Sequence, residues 1–172
     1  HFLQKHAQWR LDEKVDEITA ETVDREIKTK KSIFAGRDKQ DRPIVFVLVR
    51  RHNKNDRDIH IMKKFIIYSF EHLMKNANPE REQVTLVFDM HQFGMSCMDY
   101  EVVKMLIGIL QVNYPECLGN FFIFYACWYI INPWLDPVTA EKVVFCDYVQ
   151  LREYIDEDQM IDDVGKNDEE VA

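Results

Sequence analysis

Long apolar runs are missing from this sequence of 172 residues, which nowhere reaches the ~18 consecutive apolar residues that a membrane-spanning helix needs. No positively charged start leads into an apolar stretch, so a secretory leader is not expected. Catalytic signatures are equally scarce. The chain has no GxSxG, no GxxxxGK[ST], no GxGxxG and no HExxH, and no nucleophile–base arrangement can be read from it, so a non-enzymatic role is expected. Glycine and proline number five each, with no Gly/Ser linker, no low-complexity run and no internal repeat. That poverty fits one ordinary domain. Cationic charge is also in deficit: the net charge is −8 and the pI about 5.2, which argues against general nucleic-acid binding. The four cysteines, Cys97, Cys117, Cys127 and Cys146, lack any CxxC spacing and sit among apolar neighbours, as buried free thiols do. A cytoplasmic setting follows as the expectation. The six histidines, His1, His6, His52, His60, His72 and His91, show no metal-ligand interval, so surface or capping roles are expected and no metal site is assigned.

What is present is a two-period pattern. Ile44–Val49, Val84–Met90 and Phe121–Tyr125 are short continuous apolar runs of the kind that parallel strands buried on both faces show. Between them, Ile59, Met62, Ile66, Phe70 and Leu73, and then Val102, Val103, Leu106, Ile109 and Leu110, recur at helical spacing, with stops at Asn78-Pro79 and Pro115. A further run, Val143–Tyr148, reads as another strand, and Phe2, Leu3, Trp9, Val15 and Ile18 mark an opening helix. Alternating strands and helices imply an α/β fold with a mostly parallel sheet. One face is expected to carry the helices and the other an elongated apolar pocket. Charge is segregated: residues 27–57 hold ten Lys/Arg against three Asp/Glu, whereas residues 147–172 hold two against ten. The basic stretch is either a solvated face or a contact for anionic lipid. The acidic tail from Asp156 is too poor in large apolar groups to promise order, and is expected as a frayed end or short helix.

Several blocks have a plain structural logic. In GRDKQDRP, Gly36 and Pro43 shape a turn ahead of a strand. In NYPECLGN, Pro115 ends a helix and Gly119 permits the reversal into the next strand. In PWLDPVTAEKV, Pro133 and Pro137 bracket a corner, and Asp136 or Thr139 can cap a helix carrying Lys142 one turn later. Taken in order with the aspartate-ended VTLVFDM strand and LREYIDEDQM, these blocks make the chain resemble the CRAL-TRIO lipid-binding domain from about Phe2 to Gly165. Within that family it looks most like the fungal phosphatidylinositol-transfer proteins. The resemblance implies a CRAL-TRIO lipid-binding fold over residues 1–165, with an acidic tail at 166–172, in which flanking helices and a mostly parallel sheet enclose an apolar pocket.

It further implies a carrier that binds one phospholipid as ligand, with no other cofactor, and meets organelle membranes transiently. In phosphatidylinositol-transfer members the inositol phosphate is held by the threonine and lysine of the DPVTxxK block near the glutamate of the YPE block, and Thr139, Lys142 and Glu116 occupy those positions. A hydroxyl donor and an ammonium suit a phosphate, while a carboxylate orients the lysine. A helix cap and a surface ion pair would look the same in sequence. Val84 and Leu86 stand where choline-binding members carry hydroxyls, and with Phe88 they imply a more apolar pocket open to a sterol-like or squalene-like ligand. Haem is a further alternative through His91 and Cys127, and a lipid-sensing or scaffold module is another. ACWYIINPWLDP is shorter than the family's pocket gate, with Trp128, Tyr129, Ile130, Ile131 and Trp134 as gate candidates or as ordinary core.

Overall fold

The computed structural model describes residues 1–124, 133 and 137–166, and three strands whose side chains alternate between two buried faces set its architecture. β2 (Pro43–Leu48), β3 (Val84–Asp89) and β4 (Leu118–Phe124) pair in parallel. Successive side chains of a strand point to opposite sides. Val45, Leu86, Phe121 and Ile123 therefore enter one apolar cluster, while Ile44, Phe46, Leu48, Val87 and Phe122 enter another. A strand with two buried faces has no polar side to display, which explains the continuous apolar runs. β5 (Val143–Cys146) extends the sheet in parallel beside β4, and β1 (Ser32–Arg37) pairs antiparallel with β2 at the opposite edge. The described residues thus form a sheet of order β1-β2-β3-β4-β5.

β1 lies where the sequence suggests only a turn. Gly36 disguises it: the residue sits at φ 74°, inside an irregularity of the pairing between Phe34 and Arg37. A Cβ at Gly36 would lie 2.4 Å from the Gln159 carbonyl oxygen, so the glycine serves both the left-handed backbone and the close approach. The adjoining GRDKQDRP block is held by Asp38, whose carboxylate accepts from the Gln40 and Arg42 backbone N–H groups at 2.9 and 3.0 Å and from the Thr85 hydroxyl at 2.7 Å.

Two long helices cover the first face. α3 (Ile59–Lys75) begins at Asp58, which accepts from the His60 and Ile61 N–H groups, and it buries Met62, Phe65, Ile66, Phe70 and Leu73. α4 (Tyr100–Asn113) is capped by Asp99 and buries Ile107, Ile109 and Leu110. α1 (Phe2–Asp12) is tied to this pair through Arg10, which donates to both Glu71 oxygens at 2.7 and 3.1 Å. The Tyr114 hydroxyl donates to the same carboxylate at 2.5 Å. Burial and the adjacent Glu71 push the Tyr114 pKa up, so the phenol remains a donor. The short helix α2 (Asp24–Ile27) leads into β1.

The second face is covered by the C-terminal segment; of the two forms expected for the tail, a short helical turn occurs at Glu157–Gln159, and the described residues up to 166 are packed rather than frayed. After α5 (Pro137–Lys142) and β5, α6 (Tyr148–Leu151) starts with a capping box between Asp147 and Gln150. Leu151, Ile155 and Val164 are then buried against Ile44, Phe46 and Phe122. The order comes from Asp89, whose carboxylate is fully buried at the end of β3. It accepts from Arg50 at 3.1 Å, from the Gly165 N–H at 2.8 Å and from the His91 N–H at 2.9 Å. Arg50 also donates to the Asp163 carbonyl at 2.9 Å, and Arg51 pairs with the Asp163 carboxylate at 2.8 Å. Composition missed this docking because the tail needs only a few apolar contacts once its backbone is held by buried charge.

Arg50→Met would leave Asp89 buried without its cation, and removing one partner of a buried pair costs about 3–5 kcal/mol. Urea unfolding of that variant is expected to show a loss of this size, with most of it recovered in the Arg50→Met/Asp89→Leu double variant.

Candidate functional site

Between α3, α4 and the sheet lies a cavity of about 150 Å³. Its walls are Val45, Val47, Leu86, Phe88 and Phe121 from the strands, Met62, Phe65, Ile66, Phe70 and Leu73 from α3, and Val102, Val103, Leu106 and Ile107 from α4. The opposite face of the sheet, where an elongated pocket was expected, is occupied by the C-terminal segment instead. The cavity lies on the helix-covered face because α3 and α4 present broad apolar sides that stand off the strands without filling the space. Ser69 contributes a buried hydroxyl to the wall, with no hydrogen-bond partner among the described residues.

Of the residues read from the sequence as pocket or gate, Leu86 and Phe88 line this cavity. Val84 does not. It begins β3, fully buried in the same apolar cluster, with its N–H donated to the Cys117 carbonyl at 2.8 Å. Trp128, Tyr129, Ile130, Ile131 and Trp134 lie outside the described residues, as does Cys127.

The three headgroup candidates come from two places at the amino ends of the strands, the turn before β4 and the helix α5 that leads into β5. Glu116 lies two residues before β4, exposed, with a left-handed backbone at φ 65°. Lys142 is half-buried and ends α5, just before Val143, which pairs with the cavity-lining Phe121. Thr139 lies on α5 three residues earlier. Glu116 and Lys142 both act on Cys117: burial pushes that thiol pKa up, Glu116 adds to the rise and Lys142 opposes it. Glu116 and Lys142 are thus both near enough to Cys117 to act on its thiol, and neither lines the cavity. No ion pair joins them among the described residues.

At the carboxyl ends of the strands the cavity meets a group of buried polar residues that the sequence did not reveal. Lys31, His52 and Asp99 all line it. The Lys31 ammonium pairs with Glu26, their side chains only 4% and 2% exposed. It also lies 2.9 Å from His52 Nδ1. His52 Nε2 is 2.8 Å from Asp99 Oδ2, and Arg57 grips Asp99 with two N–H groups at 2.9 and 3.1 Å. An ammonium only donates, so Nδ1 accepts and the proton sits on Nε2, directed at Asp99. Burial lowers the His52 pKa, against the raising effect of its bond to Asp99, and the ring is neutral. Burial likewise opposes ionisation of Asp99, yet hydrogen bonds from Arg57, His52 and the Val102 N–H hold its pKa at about 2. His52 thus departs from the surface or capping role expected of the histidines. Only chain reversal joins residues 26, 31, 52 and 99, so no local spacing announces them.

An apolar cavity between the helix pair and the sheet, with Lys31, His52 and Asp99 in its wall, defines an α/β domain built around a hydrophobic space. Comparison with known proteins is in accord: the CRAL/TRIO domain model matches residues 27–165, and the chain belongs to that family. A CRAL-TRIO domain-containing protein of Schizosaccharomyces pombe, C3H8.02, is 34% identical over 148 residues, covering 82% of this chain and 33% of that protein. The phosphatidylinositol transfer protein CSR1 of Eremothecium gossypii is 33% identical over 180 residues, covering 94% of this chain and 41% of that protein. The chain thus spans between a third and about two fifths of the length of these relatives. The crystal structure of Sfh5 shares the fold, with a TM-score of 0.56 and 18% identity over 67% of this chain and 48% of that one. Among the described residues no helix is long and apolar enough to cross a membrane, and no cluster of His, Cys, Asp and Glu is suited to a metal ion.

The folded state holds His52 below its ordinary pKa of 6.5. As pH falls through 6.5 the unfolded chain takes up that proton first, so the stability from the neutral ring is full above this value and is lost below it. The Asp99 contribution persists until pH drops from 3.8 toward about 2. Urea-unfolding stability is therefore expected to decline on acidification from about pH 7 to 5, with a shallower slope in His52→Gln, which has no proton to gain.

Proposed function

We propose that this domain binds a single lipid in the cavity under α3 and α4 and transfers it between membranes, with phosphatidylinositol as the leading ligand and no covalent chemistry. The observation that carries the reading is the apolar cavity itself, walled by strand and helix side chains; the headgroup roles come from the family resemblance. Each CH₂ taken from water into such a space contributes about 0.8 kcal/mol, so the chains supply the affinity and the headgroup contacts decide which lipid is retained. Lys142 would supply an ammonium to the inositol phosphate, Glu116 would orient that ammonium, and Thr139 would add a hydroxyl. Similarity to a protein named for phosphatidylinositol transfer supports this choice.

The chamber's volume of about 150 Å³ is below the ~300–1,000 Å³ of sites that enclose a whole drug-sized ligand. A diacyl lipid would need more room than this, and separation of α3 and α4 from the sheet would supply it. Gate residues Trp128, Tyr129, Ile130, Ile131 and Trp134 would close over the chains in this reading. Cytoplasmic residence and transient contact with organelle membranes complete it. A neutral ligand is the second reading, and the apolar side chain of Leu86 in the cavity wall favours it.

Transfer of radiolabelled phosphatidylinositol between vesicles tests the reading. The wild-type domain is expected to accelerate transfer, and Lys142→Ala to slow it about tenfold, the loss of one charge-assisted contact. A wild-type domain that leaves the transfer rate at the protein-free background overturns the proposal. Unchanged transfer by Lys142→Ala removes that residue from the headgroup site.

A further inference from the structure

We infer that the contact between Lys31 and His52 is a proton-sensitive latch: when His52 takes up a proton, the Lys31–Glu26 pair parts from His52 and Asp99, and the cavity wall opens between them. The inference concerns how the wall moves and not what the cavity holds.

The latch joins two units. On one side Lys31, the residue before β1, is paired with Glu26 of α2. On the other, His52 follows β2 by a short turn over Val49–Arg51 and is hydrogen-bonded to Asp99, the cap of α4. Lys31 and Ser32 from the first unit, and His52, Met98 and Asp99 from the second, all belong to the cavity wall. The boundary between the units is therefore a seam in that wall. The Lys30 and Lys31 carbonyls accept from Arg51 and from the Leu48 N–H at 3.0 and 2.7 Å, which fixes the backbone as a pivot. Glu26 and the Lys31 side chain lie beyond that pivot. A second tie from α2 to the loop after His52, Arg25 to Asp56 at 3.0 Å, is exposed and so holds α2 weakly.

The chemistry of the contact makes it sensitive to a proton. An ammonium only donates, so Lys31 is bound through the lone pair on His52 Nδ1. A proton on Nδ1 removes that acceptor and sets an imidazolium 2.9 Å from an ammonium, both buried. The same proton strengthens the bond from Nε2 to Asp99, which then carries charge on both sides. Repulsion falls on Lys31, and Glu26 moves with it. The charged groups facing the ring are Lys31, Glu26 and Asp99, with Arg57 and the exposed Glu101 behind Asp99. Lys31 with Glu26 and Asp99 with Arg57 already balance, so the added charge has no counter-ion within the wall. Burial, opposed by the bond to Asp99 and assisted by the Lys31 charge, keeps the closed ring below its ordinary 6.5. Closure is therefore fully favoured above 6.5 and weakens below it, by up to about tenfold per pH unit until the closed ring itself titrates.

Amide hydrogen exchange of the wild-type chain, corrected for intrinsic rates and compared at about pH 7.5 and about pH 5.5, tests the latch. Residues 26–31 are expected to lose protection about tenfold at the lower pH, while the first turn of α4, held by Asp99, keeps its protection. In His52→Gln the amide can accept from Lys31 and donate to Asp99 but takes no proton, so residues 26–31 are expected to be equally protected at both values. Nitrogen NMR of the His52 ring adds a measurement that needs no variant, and the loss of protection is expected to follow the titration of Nδ1. Unchanged protection of residues 26–31 in the wild-type chain overturns the inference. An equal loss in α4 and across the sheet overturns it too, as does a loss in His52→Gln matching the wild type, or a loss at a pH where the ring has not titrated. No lipid enters the experiment, so this inference and the transfer proposal fail separately.

Discussion

A carboxylate buried at the end of the central strand constrains much of this structure. Asp89 is fully withdrawn from water, and an ionised group there must be paired and hydrogen-bonded or it would not remain charged. Arg50, the His91 N–H and the Gly165 N–H meet that demand together. In doing so they join the end of β3 to the segment after β2 and to a stretch more than seventy residues further along the chain. The C-terminal segment is thereby held against the sheet, where Leu151, Ile155 and Val164 close the second face. With that face covered, the open space lies under the helices.

The cavity is apolar within, and the polar groups at the two ends of the strands differ in character. Toward the amino ends of the strands, Glu116 and Lys142 lie near water, where charged groups are cheap and weakly coupled. Toward the carboxyl ends, Glu26, Lys31, His52 and Asp99 are all buried, and every charge has a partner. Open α/β sheets commonly place ligand chemistry at the carboxyl ends of their strands, where connecting loops converge. Here that region holds the densest buried polar network around the cavity, and the family blocks GRDKQDRP, YPE and DPVTxxK do not include it.

Legibility tracked the range of the interactions. Helices α3 and α4 were readable because their apolar positions recur every three or four residues and their stops are prolines close at hand. The central strands were readable because two buried faces erase polar alternation. β1 was obscured by Gly36 and its pairing irregularity, and the C-terminal docking by a composition that resembles a solvated tail. The headgroup candidates were reached through resemblance, since Glu116 and Lys142 alone are an exposed acid and a helix-ending base.

By itself, the sequence determined the α/β class, the order of the principal helices and central strands, the absence of the common catalytic motifs and membership of a family, because local periodicity and ordered blocks carry that information. Only the tertiary structure decided which face holds the cavity, that His52 is a buried neutral donor to Asp99, and that Lys31 is buried between Glu26 and His52. The physical reason is distance along the chain. Residues 26, 31, 52 and 99 share no helix or strand, and they form one network only when β1 turns back along β2 and the chain enters α4 beside them.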